Sequence, residues 1–218
     1  MSKIIRRTIV VLLLVVLAVG YFQWDAYGQK TELREEALLY FKEEDYSKTI
    51  KYLQQALDKK SLFSEKIDHD MKCYMAESYY QLGLYEEAEE IYDQLLKSSQ
   101  KEKKYYLLKG RCFQAEEKYD EAVKTFEAGY EKTQESEFLK RICDLYMEQG
   151  EYDQALVYAE KGIQAGGESK KELMYQKVII YEKSQDYQAA YDAVSEYCEL
   201  FPEDKNAEKE MVFLSTRI

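Results

Sequence analysis

A chain of 218 residues with 46% apolar and 33% charged side chains is long enough to bury a sizeable core and too apolar for a disordered acidic tail. One proline and nine glycines leave few helix breakers, so an all-helical chain is expected. The formal charge of −11, with Lys and Arg interspersed among Asp and Glu at helical spacing, argues against a polyanionic partner and so against nucleic acid.

The first 24 residues differ in kind from the rest. Lys3, Arg6 and Arg7 precede an apolar run from Thr8 to Gly20, and Tyr21, Phe22 and Trp24 extend it to about the length a bilayer requires. Residues 1–24 therefore read as a membrane anchor or an export signal. Basic residues hold the N-terminal side in the cytoplasm and the aromatic cluster suits the far interface, which predicts an extracytoplasmic remainder. Ala18-Val19-Gly20 also offers a small-x-small cleavage site, so a secreted chain cut near Gly20 is the alternative. Ile4 and Ile5 and the aromatic belt beyond the cut favour the uncleaved, single-pass reading. Without Lys3, Arg6 and Arg7 the remainder carries 28 basic residues against 42 acidic ones. Residues 25–29 are expected to be a short tether.

Beyond it, Tyr46, Tyr85, Tyr119, Tyr152 and Tyr187 recur at intervals of 39, 34, 33 and 35 residues. Each opens a similar phrase (YEEAEEIYDQLL, YDEAVKTFEAGY, YDQALVYAEKGI), and each has an aromatic six residues upstream: Tyr40, Tyr79, Phe113, Tyr146 and Tyr181. Three residues before that aromatic stand Ala37, Ala76, Gly110, Cys143 and Val178, and three after the tyrosine stand Thr49, Ala88, Ala122, Ala155 and Ala190. Mostly small residues at these seats let paired helices approach closely while aromatics fill the gaps. This pattern resembles the tetratricopeptide repeat, a helix–turn–helix module of about 34 residues. The resemblance implies an all-α, right-handed superhelical solenoid with repeats at about 30–63, 69–102, 103–135, 136–170 and 171–204. Of the prolines common near repeat ends in that family, only Pro202 is present.

Five extra residues fall between the first two repeats, within KKSLFSEKIDHD, which predicts a longer loop and a loosely attached first repeat. Residues 205–218 are expected to form a capping helix, with Asn206 near its start and Met211, Val212 and Leu214 covering the fifth repeat.

Chemistry-bearing clusters are scarce. His69 is the sole histidine and sits in Asp68-His69-Asp70 at a predicted helix mouth, where acidic residues favour the helix end. Cys73, Cys112, Cys143 and Cys198 lack zinc-site spacing and read as small core residues, with a Cys112–Cys143 disulfide left open. No phosphate loop, nucleophile–histidine pair or zinc helix motif appears, so no enzymatic activity, cofactor or metal is expected.

In the family resembled, the first helix of each repeat lines a groove for an extended peptide or a partner helix. By position, that face comprises Arg34, Leu38 and Phe41; Tyr74, Glu77 and Tyr80; Leu107, Leu108 and Arg111; Lys140, Arg141 and Asp144; Tyr175, Ile179 and Glu182. Tyr and Arg are frequent anchors of protein recognition. The family's clamp for chaperone C-termini needs asparagines on these helices, and the only asparagine is Asn206, beyond the repeats. The expected function is a membrane-anchored extracytoplasmic scaffold for a protein or peptide partner, serving envelope assembly or secretion. The alternatives are a holdase for exported proteins and, further off, a binder of envelope polysaccharide.

Overall fold

The computed structural model describes residues 3–218, with side chains described from residue 7 onward. Eleven helices and no strand occur among the described residues: α1 Lys3–Lys42, α2 Tyr46–Asp58, α3 Glu65–Gln81, α4 Tyr85–Ser98, α5 Lys103–Ala115, α6 Tyr119–Thr133, α7 Glu137–Gln149, α8 Tyr152–Ala165, α9 Lys170–Lys183, α10 Tyr187–Leu200 and α11 Lys205–Leu214. The repeating tyrosine is the first residue of every second helix.

The turn before each tyrosine shows why the phrase recurs. Two residues ahead of it the backbone is left-handed every time: Glu44 (φ 60°), Gly83 (74°), Glu117 (59°), Gly150 (76°) and Gln185 (62°). The following residue then donates its N–H back to the upstream aromatic's carbonyl: Asp45 to Tyr40 at 2.9 Å, Leu84 to Tyr79 at 2.9 Å, Lys118 to Phe113 at 2.8 Å, Glu151 to Tyr146 at 2.8 Å and Asp186 to Tyr181 at 2.9 Å. This bond closes the first helix by satisfying a carbonyl its last turn leaves free. That same following residue opens the second helix, because its carbonyl accepts from Thr49, Ala88, Ala122, Ala155 or Ala190 at 2.9–3.2 Å. Asp45 and Asp186 add a side-chain cap, accepting from Lys48 N and Ala189 N at 3.1 Å each.

All ten small seats are buried. Two of the chain's glycines show how tight the approach is: a Cβ on Gly110 would lie 2.1 Å from the Phe126 ring, and one on Gly129 would lie 2.5 Å from that of Phe138. Both rings are fully buried, so neither has room to retreat.

The chain divides into two compact units, residues 1–98 and 99–218. In the first, α1 packs on α2, α2 on α3 and α3 on α4, around fully buried Ala37, Leu53, Ala56 and Met71. Two expectations change here. Residues 25–29 are helical, not a separate tether: no proline interrupts the chain, Gly28 is carried within the helix, and Gln29 Nε2 to Asp25 (2.8 Å) and Thr31 Oγ1 to the Tyr27 carbonyl (2.9 Å) bond along one continuous helix. The first repeat is not loosely attached either. The extra residues let the loop at 59–64 reach back to α1, where Leu62 N donates to Gln23 Oε1 at 2.8 Å and Lys30 Nζ to Ser64 Oγ at 3.0 Å.

In the second unit each helix from α5 to α11 packs on the next. One cluster joins Cys143, Ala155, Ala159, Leu173 and Ile180 across α7, α8 and α9. A second joins Met174, Val178, Ala190, Val194 and Tyr197 to Ala207 and Leu214 of α11, so the last helix does cap the fifth repeat. Asp204 starts α11 by accepting from Asn206 N and Ala207 N at 3.2 and 3.3 Å. Met211 packs against the cluster, but Val212 is 64% exposed and points away; Ala207 holds the contact expected of it. None of the four cysteines is in a disulfide, and Cys112 and Cys143 are buried. Burial pushes the Cys143 thiol up to about 12, as suits a small core residue.

Candidate partner-binding face

In the first unit the face is built by α1 and α3. Phe41 packs edge-on to Tyr74 at 5.1 Å and to Tyr46 at 5.7 Å, so Tyr74 is a half-buried ring anchored from beneath. Tyr80 leans on Tyr85, the first residue of α4 in the same repeat, at 5.3 Å. Glu77 accepts from Gln81 Nε2 at 2.6 Å. Arg34 is turned away from the role expected of it: its guanidinium pairs with Asp70, with Nε at 2.8 Å from Oδ2. Leu38 is half-buried between these groups.

One turn earlier, Lys30 is 1% exposed and its ammonium bonds Asp68 Oδ1 at 2.5 Å as well as Ser64. Ser64 Oγ in turn lies 3.0 Å from Asp68 Oδ2 and donates to it. The Asp-His-Asp trio is thus more than a helix-end feature, because both carboxylates fasten α3 to α1.

In the second unit the face is built by α5, α7 and α9, and most of its charges are likewise committed to the neighbouring repeat. Lys103 pairs with Glu137 at 3.1 Å, and this hydrogen bond raises its pKa. Lys140 bonds Asp144 at 3.2 Å and lies 3.8 Å from Glu172, while Asp144 also takes a bond from Gln176. Arg141 is 46% exposed, with Glu137 at 3.6 Å. Arg111 is exposed on α5, near half-buried Leu107 and Leu108. On α9, Tyr175 packs on Tyr197 at 5.3 Å and Ile179 is half-buried. Glu182 shares a hydrogen bond with Glu210 of α11; desolvation, then that bond and the like charge, push its carboxyl up to about 7.

The structure therefore brings Arg34, Tyr74, Glu77 and Tyr80 together in one unit, and Lys140, Arg141, Asp144 and Tyr175 onto two neighbouring helices of the other, with Arg111 on α5. It ties Arg34, Lys140 and Asp144 into cross-repeat pairs, while Arg111 and Arg141 are exposed and the tyrosine rings half-buried. Sequence reading did not anticipate those pairs. Their signal was present as complementary groups 32 to 38 residues apart, about one repeat. An acidic cleft of about 510 Å³, lined by Glu32, Glu36, Gln55 and Asp58 between α1 and α2, was also not singled out. No group of three or more metal-ligating side chains occurs among the described residues.

Comparison with known proteins agrees with this geometry. Family models described as tetratricopeptide repeat match residues 40–112 and 103–131. No curated protein matches the chain. Among solved structures, a tetratricopeptide repeat protein from Parabacteroides merdae ATCC 43184 superposes with a TM-score of 0.62 at 15% identity, over 86% of this chain and 72% of that one. MamA protein gives 0.58 at 14% identity, over 78% and 91%. MamA from Desulfovibrio magneticus RS-1 gives 0.57 at 15%, over 81% and 97%. At such identities the likeness is one of fold. With five like turns, ten buried seats and two matched segments, the chain carries tetratricopeptide repeats over residues 40–131 and has the same helix–turn–helix form beyond them.

Proposed function

We propose that this protein is a membrane-anchored scaffold whose repeats stand outside the cytoplasm and hold a protein partner there, for envelope assembly or secretion. One observation carries the reading: α1 is at once the most apolar segment of the chain and the first helix of the first repeat. Its most apolar 18-residue stretch has a mean hydropathy of 2.1 and none of it is buried against the protein, so those side chains lack a solvent-excluded home other than lipid. Continuity of the helix through Gly20 supports an uncut anchor, and Lys3, Arg6 and Arg7 at its start support a cytoplasmic N-terminus. The repeats contribute binding, since their first-helix faces carry Tyr and Arg, which give large contact area with hydrogen-bonding ends.

The test is crosslinking in cells from a photoreactive residue placed at Tyr80 or Arg111. The scaffold reading expects one discrete protein adduct, weakened by Tyr74→Ala. An indiscriminate smear of adducts would instead favour a holdase, and adducts drawn from cytoplasmic proteins would overturn the topology.

A further inference from the structure

Phe63, at 81%, is the most exposed of the large apolar side chains described, and its neighbour Leu62 is 76% exposed. Both lie on the loop at 59–64, the insertion that sets the first junction apart from the later ones. The loop is not adrift. Leu62 N is bonded to Gln23 Oε1 at 2.8 Å and Ser64 Oγ to Lys30 Nζ at 3.0 Å, so it is held against α1 on either side of Phe63.

Gln23 sits between Phe22 and Trp24, which are 68% and 78% exposed. From Thr8 to Trp24 a helix rises about 25 Å, close to the roughly 30 Å of a hydrocarbon core. Gln23 therefore falls at the depth where the span ends, and the hydrogen bond sets the Leu62–Phe63 tip at the same level. Lys59, Lys60 and Lys66 flank the tip and outweigh Asp58 and Glu65 by one charge in an otherwise acidic chain, with stems long enough to reach lipid phosphates.

We infer that the Leu62–Phe63 loop is a second membrane contact, which enters the interfacial layer of the bilayer on the same side as the repeats, beside Tyr21, Phe22 and Trp24. The proposal rests on the anchored reading of α1. Its occupant is the lipid surface: the patch is continuous with the span, and the lysines suit anionic headgroups. A helix held at one crossing alone can tilt, whereas a helix with an apolar foot beside it is restrained.

Trp24 is the only tryptophan, which makes the two ideas separable. The full chain is reconstituted in vesicles of phosphatidylethanolamine and phosphatidylglycerol brominated near the headgroup end of the acyl chains. Loss of Trp24 emission in the natural sequence reports the anchor. The loop is read in the double variant Trp24→Phe, Phe63→Trp, whose single indole replaces an exposed ring and leaves the core alone. The expected result is a blue shift and loss of emission in both proteins. Quenching of the natural protein together with a water-like, unquenched double variant would overturn the loop contact and leave the anchor standing. Unquenched emission from both would remove the anchor and the loop contact with it.

Discussion

Both units fasten successive repeats with polar links, but only the first buries one. In residues 1–98 the link between first helices is polar: buried Lys30 to Ser64 and Asp68, and Arg34 to Asp70. In residues 99–218 polar links recur at the more exposed Lys103–Glu137 and Lys140–Glu172 pairs, and tight apolar seats are added: Gly129 under Phe138 and Gly162 under Leu173 between repeats, and Gly110 under Phe126 within one. Charge fastening is sensitive to the loss of one partner and fixes register, whereas close packing is sensitive to volume. One fold thus tolerates two kinds of joint, and each predicts its own failure.

The largest effect is expected from Asp68→Ala, which strands the Lys30 ammonium in a nearly dry site and costs about 3 kcal/mol. Hydrogen exchange should rise in α1, α2 and α3 and stay unchanged in α7–α10. Uniform loosening of both units would break the comparison. Next comes Gly110→Ala, for which overpacking against Phe126 costs about 1–3 kcal/mol. Adding Phe126→Leu should recover part of that loss, and strictly additive losses in denaturant melts would show that the two do not share a seat.

A smaller effect tests the far end of the second unit, where two carboxyl groups meet. The Glu182 carboxyl titrates near 7 in the fold, above its ordinary 4.5, because burial and Glu210 favour the protonated form. Its contribution is therefore fully present below about pH 4.5 and is lost as pH rises through about 7. Glu182→Gln, neutral throughout, should raise the unfolding free energy at pH 8 by on the order of 1 kcal/mol after solvent screening and change little at pH 4.5. An equal gain at both pH values would contradict the assignment. Smallest of all, Glu117→Gly in the left-handed turn should stabilise by about 0.5 kcal/mol, and Glu44→Gly should do the same in the other unit, because this turn is common to both. Melts in which one gains and the other loses would show that the turns are not equivalent.

Much of this was readable from residues. Tyr46 and its successors mark the start of each second helix because the turn before them is local, set by a left-handed residue and short-range hydrogen bonds. Ala88, Ala122 and Ala155 announced their burial because only small side chains fit between close helices. Ion pairs were harder to read. Arg34 looks like a groove residue until Asp70 is brought beside it, and that proximity belongs to the stacking of repeats and to no single segment. Residues 25–29 misled for a related reason: a polar stretch with Gly28 after an apolar run suggests a linker, but the helix continues through it, supported by the contacts of Gln23 and Lys30 with a loop far along the chain. Val212 was assigned to the wrong side of α11, where one residue of phase error turns a side chain by about 100°.

The unbroken α1 has a mechanical consequence. On the proposed anchoring, a span joined to its first repeat by one unbroken helix has no swivel, so whatever azimuth that span adopts is passed directly to α2 and α3. Inserting one residue between Trp24 and Lys30 would rotate that repeat by about 100° around the helix and lift it by about 1.5 Å. A change of this kind would redirect the surface offered to a partner without altering one side chain in it.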